Sequence, residues 1–295
     1  MGARDLGALV LLGVLWGGSF LFIRVGVPEL GPVALVELRV GIAAVALVIC
    51  AAVLGRMPKV RSRWRQFAIL GAVNAAIPFC LISAAEIHLT ASLSAILNST
   101  TVMFTALVAA VWMGDPLTLR KGVGVVLGIV GVAVLVGWDP IVLNWAVVLS
   151  VVAILGASLS YALAAVYAKR TFAGSPPLAI AVGQQTAASL LLLPLAAVSL
   201  PAERPSVAAT VSVLALALLS TAVAYMLYYR LIANVGPTST VTVTLLVPVF
   251  GLLLGVLILD EPFGLGTLAG LGIILSSVAL ITGIGFGGPK AKARA

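Results

Sequence analysis

Histidine occurs once in this chain, at His88, and cysteine twice, at Cys50 and Cys80. One imidazole cannot build a His-x-x-x-His metal site. Two thiols set inside apolar runs act as small hydrophobes, not as a disulfide framework. Carboxylates are scarce too: nine in 295 residues, all in loops or toward the ends of apolar runs. With no paired intramembrane carboxylates and no Gly-x-Ser-x-Gly elbow, the chemistry of an intramembrane enzyme is missing. No Gly-x-x-x-x-Gly-Lys-Ser/Thr run is present either, so ATP does not drive the protein directly. Nothing resembles a selectivity filter or a charged ring, which argues against a channel. No metal and no cofactor are expected.

The scarcity of charge has a pattern. Ten stretches contain no Asp, Glu, Lys or Arg: 6–23, 40–55, 66–85, 87–114, 122–138, 140–168, 171–202, 205–229, 231–259 and 262–289. A helix needs about 20 mainly apolar residues to cross the hydrocarbon core of a bilayer, and each stretch is long enough or nearly so. The chain is 62% hydrophobic and 9% charged, with a mean hydropathy of +1.24. An all-α integral membrane protein of ten transmembrane helices is the expectation. Arg4 before the first run imitates a signal peptide. Yet no small-residue cleavage site follows, and the chain goes on to Arg24 and Pro28, so the first span is the better reading.

The net charge of +8 does not point to nucleic acid, because the basic residues sit in short loops between apolar runs. Taking alternate connections from the N-terminus, one set carries 14 of the 17 Lys and Arg, including Arg56–Arg65, Arg120, Lys121, Lys169, Arg170 and the tail at Lys290, Lys292 and Arg294. The other set carries Arg24 and Arg204, and Arg39 lies beside the second run. Basic loops stay cytoplasmic, so both termini are expected there.

Sliding the chain against itself by 146 residues aligns Asp115-Pro116 with Glu261-Pro262, Phe104 with Phe250, Leu119 with Leu265, Gly124 with Gly270 and Gly137 with Gly283. Apolar helices match somewhat by chance, but the acidic-Pro pair follows the fourth run and the ninth, which are equivalent positions. Five spans per half is odd, so the halves would enter the membrane upside down to each other. Two inverted five-helix repeats around a central cavity are expected, at residues 1–139 and 140–288, with a cytoplasmic basic tail at 289–295.

Several motifs carry a family resemblance: Leu15-Trp16-Gly17-Gly18-Ser19-Phe20 in the first run, Arg39 in the second span, Pro248 in the ninth, and Met113-Gly114-Asp115-Pro116 paired with Leu259-Asp260-Glu261-Pro262. In order, spacing and duplication the chain resembles the EamA branch of the drug/metabolite transporter superfamily, and within it the bacterial amino-acid exporters of the YddG type. The resemblance implies a secondary exporter of small metabolites in the cell inner membrane. It departs at Asp115, where Glu is more usual, with charge retained. Drug or nucleotide-sugar transport is the nearest rival within this fold.

Polar side chains at mid-membrane depth face other helices or a cavity, because hydrocarbon leaves them unsatisfied. In the fourth run Ser94, Asn98, Thr101 and Thr105 share a helical face, and Thr240 and Thr244 occupy the equivalent places of Ser94 and Asn98 in the ninth. Hydrogen bonding between packed helices explains any one of them; the pairing favours a shared cavity. Trp16, Phe79, Tyr161 and Tyr225 lie near mid-depth with Ser158, while Pro78 and Pro248 free backbone carbonyls there. These residues, Thr105 apart, are the twelve candidate substrate contacts. Arg39, Glu86, Asp115 and Glu261 are assigned gating or structural roles. Gly124, Gly128, Gly266 and Gly270 form small-residue faces for close helix packing or dimerisation. The cavity suits a neutral or zwitterionic amino acid, including aromatic or apolar ones. The chain is expected to be a monomer or weak homodimer. Weak support for a membrane carboxylate leaves proton antiport and uniport both open.

Overall fold

The computed structural model describes residues 2–58, 60–138, 144–199, 201, 203–236 and 240–283. The expected boundary at 139–140 and the basic tail at 289–295 lie outside them. Among the described residues the ordered elements are helical. Eight are long and apolar enough to cross a membrane: α1 (Ala3–Val53), α2 (Trp64–Ala85), α3 (Ala91–Met113), α4 (Leu119–Gly137), α5 (Trp145–Thr171), α6 (Pro177–Val198), α7 (Val207–Ile232) and α9 (Leu265–Thr282). A shorter apolar helix, α8 (Val243–Leu259), precedes the last.

Helices are what an apolar chain can form in lipid, since each satisfies its own backbone. Their ends follow local rules. Side chains of Thr90, Thr118, Asn144 and Ser206 accept hydrogen bonds from the first turns of α3, α4, α5 and α7. Gly114, Asp260 and Gly283 close α3, α8 and α9 in the left-handed conformation. The 51-residue α1 is not one rod: Gly31, between Pro28 and Pro32, has φ 71° and ψ 162°. Only glycine takes that geometry without strain, so two helical arms meet there. At this junction the Glu29 carboxylate accepts from the Ser206 backbone N–H at 2.6 Å and its hydroxyl at 2.7 Å, tying α1 to the start of α7.

Within each of α2 and α7 the hydrogen bonding widens for one turn into a π segment, at Ala72–Ala76 and Leu218–Val223. The two lie 146 residues apart, the same offset as the sequence repeat. The expected unbroken fourth helix is instead interrupted at Ser99–Thr100, between Ala91–Asn98 and Thr101–Met113. Hydroxyls cause this locally: Thr100 Oγ1 donates to Leu97 O and Thr101 Oγ1 to Asn98 O, both at 2.7 Å.

The largest buried cluster runs through all nine helices, with Leu35, Ile96, Ile154 and Leu216 fully enclosed. α4 pairs with α9 at the glycine faces read from the sequence. A methyl group at Gly124 would sit 2.7 Å from Ile281, and the Ser277 hydroxyl donates to Gly124 O at 2.6 Å. The outer faces carry bare aliphatics: Val111 is 90% exposed and Val198 87%. A surface of that kind belongs in lipid.

Candidate functional site

A π segment leaves backbone carbonyls without their usual partner, and both are used here to build contacts. In α2, Val73 O accepts from the Ser160 hydroxyl of α5 at 2.7 Å. In α7, Leu216 O accepts from Thr221 Oγ1 at 2.8 Å. The Thr221 hydroxyl in turn accepts from Arg39 Nε at 3.1 Å. Inside the first π segment, Asn74 Nδ2 donates to Gln184 Oε1 at 2.8 Å, and Gln184 Nε2 donates to the Tyr225 hydroxyl at 2.8 Å.

Aromatic rings surround these bonds. The Arg39 guanidinium carbon lies 3.8 Å from the centre of the Phe79 ring. Phe79 meets Tyr161 edge-on, with ring centres 6.3 Å apart. Trp16 packs against Tyr228 at 5.5 Å. Ser158 Oγ donates to Asn98 O at 3.4 Å. Six of these nine links join a residue before position 139 to one after it, among them Arg39 to Thr221, Asn74 to Gln184, Phe79 to Tyr161 and Trp16 to Tyr228. The two halves of the sequence therefore meet through a polar and aromatic seam. Buried atoms without partners lie in the same elements: Ser94 Oγ, Asn98 Oδ1, Ser220 Oγ and both amide atoms of Gln185.

The seam includes Trp16, Phe79, Ser158, Tyr161 and Tyr225 from the sequence reading. Ser94 and Asn98 are buried or half-buried in α3, and Pro78 and Pro248 are buried in α2 and α8. Thr101, Thr240 and Thr244 bond back to their own backbones, at Asn98 O, Gly236 O and Val241 O. Among the described residues no hydrogen bond joins Asn98 to Thr244. Gln184, Thr221, Ser160 and Tyr228 were not singled out in the sequence. The Gln184-Gln185 pair, two amides amid an apolar run, was the available signal.

The carboxylates at the helix ends behave unequally. Glu261, 7% exposed, accepts from Ala91 N at 2.7 Å, Ser92 N at 2.9 Å and Ser92 Oγ at 2.6 Å, so it caps the start of α3. Its counterpart Asp115 is half-exposed, with no side-chain hydrogen bond or ion pair among the described residues. Their backbones match, Asp115 N bonding Ala109 O and Glu261 N bonding Gly255 O, again 146 apart. Glu86 is fully buried beside this cap, and its backbone carbonyl accepts from Arg24. No group of three or more His, Cys, Asp or Glu that could hold a metal occurs among the described residues.

Membrane-length apolar helices crossed by a buried polar and aromatic seam define a multi-pass helical membrane protein. The chain belongs to the EamA-like transporter family, whose model matches it twice, at residues 6–137 and 148–283. It is 31% identical over 274 residues to a probable terminal-alkyne amino-acid exporter of Streptantibioticus cattleyicolor, covering 86% of this chain and 85% of that one. An uncharacterized inner membrane transporter, YedA, of Escherichia coli K12 is 27% identical across 94% of this chain and 90% of its own length. An uncharacterized transporter of Archaeoglobus fulgidus is 23% identical, covering 92% and 96%. A protein crystal structure, 18% identical over 95% of this chain and 96% of its own, shares the fold with a TM-score of 0.66.

Proposed function

We propose that this membrane transporter exports neutral or zwitterionic amino acids, aromatic or apolar ones among them, from the cytoplasm across the inner membrane without ATP. The seam is its substrate site, and it works by alternating access of two inverted five-helix halves. The observation that carries this reading is the chain Asn74–Gln184–Tyr225, a polar bridge between the halves inside the apolar helices α2, α6 and α7. Carrier sites lie at such repeat interfaces near the bilayer midplane. Counting the two arms of α1 on either side of Gly31 separately, and the shorter α8 as a further span, supports a reading of ten spans, five to each half. The π segments and helix ends recurring 146 residues apart support an internal repeat. The basic loops read from the sequence support cytoplasmic termini. The Streptantibioticus relative supports the substrate class.

The test is counterflow in proteoliposomes, with labelled amino acids, nucleosides, sugars and quaternary cations offered in parallel. Saturable exchange of large apolar amino acids is expected. Exchange of a nucleotide-sugar with no amino acid competing would overturn the substrate class and leave the carrier assignment standing.

A further inference from the structure

Arg39 is 5% exposed, in the second arm of α1, and is held on two sides. Its Nε donates to Thr221, and its flat face rests on Phe79. Thr221 is itself fixed by its bond to Leu216 O, the carbonyl released by the π segment. The fork of terminal nitrogens, Nη1 and Nη2, has no hydrogen-bond acceptor and no carboxylate in ion-pair range among the described residues. A buried guanidinium kept only for packing is normally saturated by acceptors or paired, because an unpaired charge there is costly.

The nearby carboxylates are otherwise placed. Glu37 lies two residues away on another helix face and takes the Ser189 hydroxyl at 2.6 Å. Glu261 is spent on the start of α3. Glu86 acts on Arg39 only at a distance. The remaining groups in electrostatic reach are Tyr161 and Tyr225, both neutral phenols.

We propose that Arg39 is the residue that recognises the substrate's carboxylate, its free fork taking both oxygens while Phe79 and Tyr161 flank the apolar part. This rests on the reading of the seam as the transport site. A planar fork fits a carboxylate in a paired geometry that an ammonium cannot match. One fixed cation suits a singly charged acid better than a phosphate dianion. The transported molecule is thus an amino acid or small apolar organic acid, and an amine lacking the carboxylate is rejected.

The test uses the full chain in proteoliposomes and measures counterflow of labelled phenylalanine against unlabelled 3-phenylpropionate and phenethylamine. In the unmodified protein, phenylpropionate competes and phenethylamine does not. Arg39→Gln raises the half-saturating phenylalanine concentration about tenfold or more and erases that discrimination, with Arg39→Lys in between. The melting temperature of Arg39→Gln without substrate is at least that of the unmodified protein, since an uncompensated buried charge has gone. A purely structural arginine would move it down. Phenylalanine exchange with phenethylamine competing as well as phenylpropionate would overturn the role of Arg39 and leave amino-acid transport intact. So would an Arg39→Gln protein that melts lower yet transports with unchanged affinity and selectivity. If that variant does not fold, competition in the unmodified protein decides alone. If no carboxylated probe exchanges while a sugar or quaternary cation does, the substrate class falls too.

Discussion

Gln184 is a buried amide with two partners, Asn74 and Tyr225. Asn98, by contrast, keeps its side-chain oxygen buried and unbonded. These two amides should therefore answer differently to the same substitution. Gln184→Leu removes two side-chain hydrogen bonds at about 0.5–1.5 kcal/mol each, toward the low end in a membrane. It should lower both melting temperature and uptake. Asn98→Leu breaks no native side-chain bond, so the melting temperature should hold while uptake falls severalfold. A collapse of stability in Asn98→Leu with normal transport by the survivors would make Asn98 part of the packing. Uptake and melting measured on one preparation separate these outcomes. The sequence located Phe79, Tyr161 and Tyr225 because ring size and depth are visible along a run. It assigned Arg39 to gating or structure, since only the fold shows its Nε ending at Thr221 with no carboxylate in ion-pair range among the described residues.

At the scale of a helix, the ends were legible and their use was not. The acidic-Pro pairs after the fourth and ninth runs stood out by repetition, and their backbones do close alike. That only Glu261 of the pair caps another helix depends on which helix start packs against each of these ends, which no local pattern encodes. This cap requires Gly255, where an added methyl would collide with the Ser92 hydroxyl and the Glu261 carboxylate. Gly255→Ala should cost about 1–3 kcal/mol by overpacking and loosen that end. In a background with Cys50 and Cys80 replaced by alanine, a cysteine at Leu93 should then react severalfold faster with a membrane-impermeant maleimide. Unchanged labelling would mean that the cap does not hold this end closed. The interruption at Ser99–Thr100 was hidden in the same way: Ser, Thr and Asn in series read as a polar stripe, yet their hydroxyls turned inward on the backbone.

For the whole molecule, the apolar runs made a multi-pass helical protein legible at once, because lipid leaves the backbone few alternatives. Orientation rests on the loops. A reporter fused after Arg63 should read cytoplasmic and one after Trp138 should read from the opposite side. Reversed signals would turn the protein over and place the cap of α3 at the cytoplasmic face. The count along the chain was less direct, since Gly31 joins two arms into one continuous element that apolar runs alone would divide.

The seam also bears on how the protein is made. Its contacts between the halves pair Arg39, Asn74, Phe79 and Trp16 from the first with Thr221, Gln184, Tyr161 and Tyr228 from the second. Synthesis delivers the first set to the membrane while the second is still untranslated. For that interval an arginine and an asparagine sit in an apolar environment without their eventual partners. Completion of the polypeptide, and not the folding of either half, is what removes this exposure, so a chain that stops early carries its own mark for proteolysis.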